Sequence, residues 1–140
     1  RMLIDDGRII SNLVAQALLG KPLTIYGNGQ QTRSFCYIDD QVEALNKLMN
    51  QNNTIGPVNL GNPGEFTIND TAKLVKEMLG ASVKIEYYPL PSDDPKQRKP
   101  DISKAQALVG WSPKTELREG LKQTIQDFAQ RLNVKIAPLK

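Results

Sequence analysis

The side chains best suited to chemistry in this chain are arginines. Arg33 follows a glycine-containing turn and precedes an apolar run, in GNGQQTRSF, and Arg98 stands beside Lys99 in the proline-bounded stretch DDPKQRKPD. A guanidinium held on an ordered loop presents a planar fork of N–H donors that can clasp two phosphate or carboxylate oxygens at once. Two such forks converging from separate loops would neutralise a diphosphate without a glycine-rich cradle. The same side chains could be solvated surface cations, with Asp93, Asp94 or Asp101 pairing locally with Arg98, and spacing alone leaves both readings open. Arg8 is the third candidate. Read as part of the first turn of the opening helix, it sits where the helix dipole disfavours a cation by about 0.3–1 kcal/mol, whereas Asp5 and Asp6 sit where the dipole favours acids. Either its side chain escapes into water, or it faces an anionic group held at that helix end.

Other chemistries are thinly represented. With no histidine, the chain cannot supply a Ser-His-Asp triad, a Cys-His pair or the commonest zinc ligand. Cys36 is the single cysteine, so no internal disulfide can form, and a reducing, cytoplasmic setting is expected. Its apolar surroundings, SFCYI, favour an inert buried thiol over a nucleophile. No Walker A sequence is present, and no metal-spaced cluster of cysteines or acids, so no metal site is expected. The glycine pairs of YGNGQ and LGNPG miss the GxGxxG pattern that runs into a helix, so they read as plain turns. No tightly bound nicotinamide cofactor is therefore expected on this chain by itself.

The totals fit one compact domain, since 39% of the 140 residues are hydrophobic. A net charge of +3 spread over helix faces makes neither nucleic acid nor membrane the expected partner. No apolar stretch reaches the ~20 residues a membrane span needs. The chain opens Arg1-Met2, which reads either as an added residue before a starting methionine or as a start inside a longer protein.

Apolar residues at Ile10, Leu13, Val14, Ala17 and Leu18 repeat with helical period, and Gly20 and Pro22 end that helix. LTIY (Leu23 to Tyr26) predicts a strand, Gly27-Asn28-Gly29 a turn, and Ser34 to Ile38 a second strand. Asp40 and Glu43 have capping-box spacing, with Ile38, Val42, Leu45 and Met49 as the buried face of the next helix. After a polar loop over Gln51 to Gly56, PVNL (Pro57 to Leu60) predicts a brief strand. Thr67 is the expected cap of a helix buried through Ile68, Ala72, Val75 and Leu79 and stopped by Gly80. Val83, Ile85 and Tyr87 alternate as in a half-exposed strand. Pro89 to Pro100 holds four prolines and reads as a loop. A short helix over Ser103 to Val109 should end at Gly110, and Leu117, Leu121, Ile125, Phe128 and Leu132 mark a long amphipathic helix. Residues 133–140 read as a loose tail. Strands alternating with helices give an α/β class, with too few strands for a complete doubly wound sheet.

Taken in order, RMxxxDGRxxSNxxxQALxGxPLTxYGxGxQTRxFxYxxD, PVNLGNP, DDPxxRKPDIxKAxxxxGWxP and the EGL that opens the last helix resemble the C-terminal part of the UDP-glucuronate decarboxylase (UDP-xylose synthase) family. That family belongs to the NAD-dependent epimerase/dehydratase group of extended short-chain dehydrogenases. The likeness is collinear over nearly the whole chain. A more distant similarity extends to dTDP-glucose 4,6-dehydratases and UDP-galactose 4-epimerases, through GxGxxxRxxxYxxD, an NLG turn and a late arginine.

The resemblance implies an incomplete Rossmann-type fold with a small mixed α/β substrate domain. Residues 1–132 would be the nucleotide-sugar-binding portion, with the N-terminal NAD-binding domain and the catalytic Tyr-xxx-Lys pair absent from this chain. It further implies that Arg33 and Arg98 hold the diphosphate of a UDP-sugar, and that backbone groups at Thr24 and Tyr26 line the uracil and ribose. Asn59 would lie in a turn that reaches the phosphates, and Arg8 would face the reacting sugar or the cofactor. For the full-length protein it implies a homodimer in which bound NAD oxidises C4 of the glucuronosyl ring, carbon dioxide leaves from the 4-keto acid, and returned hydride yields UDP-xylose. Alone, the chain should be inactive. The alternatives are a fragment of a dTDP-glucose 4,6-dehydratase or UDP-sugar 4-epimerase, a non-catalytic α/β self-association module, and, behind these, a weakly basic nucleic-acid binder.

Overall fold

A computed structural model describes residues 2–51, 56–91 and 97–139. The elements in chain order are α1 (Ile9–Leu18), β1 (Leu23–Tyr26), β2 (Thr32–Arg33), α2 (Ile38–Met49), β3 (Phe66–Thr67), α3 (Ile68–Leu79), β4 (Ile85–Tyr88), α4 (Ser103–Val109) and α5 (Leu117–Arg131). β1 pairs in parallel with β4, Leu23 opposite Ile85 and Tyr26 opposite Tyr88. The two-residue β2 pairs antiparallel with β3, Arg33 opposite Phe66. The chain is thus α/β, as its alternating pattern predicts.

The main core forms where α1, α3 and α5 pack around β1. Leu13, Val14, Leu23, Ile25, Val75, Ile125 and Phe128 are all buried there. Each large apolar side chain removed from water contributes ~1.5–3 kcal/mol relative to leaving it exposed, which is what holds these short elements together. α3 has its caps where the sequence puts them. Thr67 Oγ1 accepts from the Asp70 N–H at 3.0 Å, and Gly80 closes the helix in the left-handed region at φ 59°. Gly110 ends α4 in the same way at φ 58°. A second, smaller cluster joins α2 to α4 through Ala44, Ile102, Ala105 and Trp111.

Several expectations need correction. The apolar stripe of α2 faces outward: Ile38, Val42 and Leu45 are exposed, and Met49 is 82% exposed. The helix is rotated because Asp40 and Ala44 occupy its buried face. Ala44 fits beneath the second cluster, and Asp40 Oδ2 accepts from the Thr115 N–H at 2.9 Å. Asp40 and Glu43 therefore form no capping box; Tyr37 is the N-cap, and Glu43 pairs with Lys47 and Lys114. Residues 34–37 form no strand, because their ladder partner β3 is only two residues long. Pro57 to Leu60 likewise form no strand; Val58 and Leu60 pack against the second cluster instead. The strand expected from Val83 begins at Ile85.

The segments after Tyr88 and around Gln51 carry no helix or strand where they are described; most of the predicted Gln51 to Gly56 loop lies outside the described residues. The tail, expected to be loose, is docked: Val134 N–H donates to Ala129 O, and Ile136 and Leu139 pack on the main core. Among the described residues no helix is long and apolar enough to cross a membrane.

Candidate functional site

One large cleft, about 1420 Å³, opens between the N-terminal segment, the edge of β1, the stretch from β2 to α2, and the start of α5. Five of the six residues singled out from sequence line it: Arg8, Thr24, Tyr26, Arg33 and Arg98. Asn59 does not; it is exposed and lies elsewhere.

Arg33 is only 8% exposed, an unusual burial for a guanidinium. The β2–β3 ladder fixes its backbone opposite Phe66, and Nη1 donates to the Thr32 carbonyl at 2.8 Å. Its fork is therefore held at the cleft wall, not waving in solvent. Arg98 approaches from the loop before α4 and is exposed at the same cleft. Of the acids expected to compete for it, Asp101 accepts from the Ser103 N–H at 2.9 Å, which engages it at the start of α4. Asp93 and Asp94 lie outside the described residues.

Arg8 is not in the first turn of α1 but at its N-cap, still at the positive end of the helix dipole, where the Asp6 carboxylate offsets the penalty. Its peptide N–H donates to Asp6 Oδ1 at 3.0 Å, and its Nε lies 3.7 Å from Asp6 Oδ2. The Ser11 hydroxyl, which also donates to Asp6, and the Arg8 N–H hold the Asp6 carboxyl below its ordinary value. The Arg8 side chain is 80% exposed at the cleft, close to where α1 offers its unpaired N–H groups.

The pairing of β1 explains what Thr24 and Tyr26 present. Leu23 and Gly27 turn their N–H groups to the Lys84 and Tyr88 carbonyls of the β4 side. The alternate residues Thr24 and Tyr26 therefore turn their peptide groups to the opposite edge. There the Gln16 carboxamide accepts from Thr24 N–H at 3.0 Å and donates to Thr24 Oγ1 at 2.9 Å, and Gln31 Nε2 donates to the Tyr26 carbonyl at 2.7 Å. The edge of β1 thus carries ordered amide groups beside the cleft, a surface suited to a planar, hydrogen-bonding ring.

Sequence reasoning missed three wall residues. Tyr37 packs its ring against Gly120, where an added Cβ would lie 3.1 Å from Tyr37 Cδ2, so the EGL glycine brings α5 close to the wall. Ser34 Oγ is buried with no protein partner. Cys36 also lines the cleft; it is half-buried, and desolvation, with the nearby Asp40 charge, raises its thiol pKa and keeps it protonated. Of these, Tyr37 stands in the YxxD of the GxGxxxRxxxYxxD pattern and its neighbour Gly120 in EGL, whereas Ser34 and Cys36 leave no signal of a wall position.

The glycine turn at 27–29 is filled from within the chain. A Cβ on Gly29 would lie 2.3 Å from Asn69 Oδ1, and Asn69 Nδ2 donates to the Asn28 carbonyl. Asn69 thus braces that turn against the start of α3. No group of three or more His, Cys, Asp or Glu among the described residues could hold a metal ion.

Comparison with known families places this arrangement. The family model of GDP-mannose 4,6 dehydratase matches residues 6–124, which is most of the chain and includes Arg8, Thr24, Tyr26, Arg33 and Arg98. The chain belongs to the GDP-mannose 4,6 dehydratase family. Among its relatives, UDP-glucuronic acid decarboxylase 3 of Arabidopsis thaliana is 55% identical over 96% of this chain. UDP-glucuronic acid decarboxylase 1 of Danio rerio is 49% identical over 94%. The chain spans 39% and 31% of those relatives' lengths.

Solved structures share the fold. The UDP-glucuronic acid 4-epimerase of Bacillus cereus, in complex with UDP-glucuronic acid and NAD, superposes with a TM-score of 0.84 at 31% identity, over 89% of this chain and 40% of its own. The UDP-glucose 4-epimerase of Thermotoga maritima, with UDP-glucose, gives 0.83 at 32% identity over the same shares. The resemblance of this family member to UDP-glucuronate decarboxylases, read from its motifs, is thus matched by identity along nearly its whole length.

Proposed function

We propose that this chain is the substrate-binding portion of an NAD-dependent UDP-glucuronate decarboxylase, and that its cleft holds the UDP-sugar. The observation that carries the reading is convergence: Arg33 and Arg98, 65 residues apart, line one cleft together with the amide-rich edge of β1. The arginines suit a diphosphate, and the edge of β1, with Gln31, suits the uracil and ribose. Ser34 Oγ, buried without a partner, is a further donor for a ligand oxygen. Arg8 at the N-cap of α1 would meet the carboxylate or the reacting sugar. Asn59 takes no part in this reading, since it lies away from the cleft.

NAD, which supplies the hydride acceptor and donor in this reading, would be held chiefly by the part of the full-length protein outside this chain, since neither glycine turn here has the GxGxxG pattern running into a helix. On the same reading the full protein is a cytoplasmic homodimer, and this chain by itself does not turn over substrate. The identity to decarboxylases favours this assignment over a dehydratase or an epimerase. An assay of the full-length protein with NAD and either UDP-glucuronate or dTDP-glucose separates them: carbon dioxide should appear only with the first.

On the chain itself, calorimetry should show weak binding of UDP. Replacing Arg33 by Ala removes a charged fork worth ~1.5–3 kcal/mol, so affinity should fall about tenfold or more while circular dichroism stays unchanged. Equal affinity of parent and Arg33→Ala would sink the role given to Arg33.

A further inference from the structure

Arg98 lies on a loop with neither helix nor strand, yet the proposed site needs its guanidinium placed opposite Arg33. One side chain connects the two. Glu65 lies just before β3 and is half-buried, its side chain 22% exposed. Its Oε1 accepts from Thr32 Oγ1 at 2.8 Å and from Gln97 Nε2 at 2.7 Å. Its Oε2 lies 3.3 Å from Lys99 Nζ. Thr32 directly precedes Arg33, and Gln97 and Lys99 directly flank Arg98. We infer that Glu65 is a positioning residue for the nucleotide diphosphate: one carboxylate ties the strand that carries Arg33 to both neighbours of Arg98. This inference rests on the proposed UDP-sugar reading of the cleft.

The geometry favours tethering over a simple charge effect. An acid beside a diphosphate site repels the ligand, so a Glu acting only through its charge would weaken binding, and its removal would tighten it. Three contacts on two oxygens do something else. They restrict the 97–99 backbone before the ligand arrives, which reduces the ordering that binding must impose. The hydrogen bonds from Gln97 and Thr32 hold the Glu65 carboxyl below its ordinary value, so it is ionised and fully accepting at neutral pH. A second device acts on the same loop. Gly61 packs so tightly that an added Cβ would lie 2.8 Å from Pro100 Cγ, two residues from Arg98.

The test is UDP calorimetry on the 140-residue chain, with Glu65→Ala, Glu65→Gln, Arg98→Ala and the double variant Glu65→Ala/Arg98→Ala. Loss of the tether should weaken UDP binding about three- to tenfold in Glu65→Ala, with the melting temperature little changed. Glu65→Gln keeps an oxygen for Thr32 and Gln97, which both use Oε1, so it should restore affinity to within about twofold of the parent. In the Arg98→Ala background Glu65→Ala should cost nothing more, because a residue that acts through Arg98 has nothing left to place. Tighter binding in both Glu65 variants, unchanged affinity in Glu65→Ala, or losses that add in the double variant would each overturn the inference.

Trypsin supplies an arm that needs no ligand: cleavage after Arg98 should be faster in Glu65→Ala than in the parent. If the parent binds no UDP, the proposed function fails. The tether then stands or falls on that cleavage rate, with an unchanged rate overturning it.

Discussion

The two hydrophobic clusters of this chain are built to different degrees of completion. Against β1, three helices pack into one core, and Phe128, Leu13 and Ile125 are closed off from water. Around Trp111, which is 1% exposed, the packing is one-sided. α4 and residues 58–60 cover the inner face of α2, while its outer stripe of Ile38, Val42, Leu45 and Met49 stays open. The main core is self-sufficient in the described residues; the second is a half-layer. The cleft lies where they adjoin, with Arg33 on the side of the main core and Arg98 on the loop leading into α4. The cleft is therefore mounted on a rigid wall and a softer one, and the tether proposed for Glu65 would act on the second.

This contrast is open to direct attack. Phe128→Ala in the main core should cost about 3–5 kcal/mol in chemical denaturation, while Val42→Ser and Leu45→Ser on the outer stripe should each stay within about 0.5 kcal/mol. A loss at Leu45 comparable to that at Phe128 would mean that the stripe is covered, and the contrast would collapse. Gly61→Ala should fall between, since forcing a methyl against Pro100 costs about 1–3 kcal/mol and displaces the loop of Arg98. UDP affinity should drop in that variant, whereas Val42→Ser should bind as the parent does.

The smallest effect expected is at the mouth of the cleft. Asp6 has a lowered folded-state pKa, so its contribution to stability is present above its ordinary value of 3.8 and lost as pH falls through the depressed value. Asp6→Asn keeps an acceptor for Ser11 and Arg8 but cannot titrate. The parent should therefore lose stability more steeply than Asp6→Asn on acidification below about pH 4, as thermal melts across that range would show.

Helices with a strong period and a matched terminator were legible in the sequence. Thr67 with Gly80, and Gly110 after Val109, mark ends that local backbone chemistry alone determines. The arginines, too, could be picked out by their punctuated surroundings. α2 was misread because period reports that a helix has an apolar face, not that anything covers it; the buried face was chosen by Ala44 and by an N–H at Thr115 that needed an acceptor. The expected strands at 34–38 and 57–60 failed because a ladder requires a partner, and partners are distant in sequence. Glu65 left no trace at all. A lone acid after a glycine turn is unremarkable until Thr32, Gln97 and Lys99 are brought to it from both directions along the chain.

The carboxamides beside β1 have one more consequence. A short strand with an uncovered border offers peptide groups that a neighbouring molecule's strand could latch onto, and such borders commonly seed aggregates. Gln16 and Gln31 already occupy the Thr24 N–H and the Tyr26 carbonyl. By imitating the backbone of a neighbouring strand, two side chains leave little for a stranger's strand to grasp, and so help keep the cleft-side border of β1 from becoming adhesive.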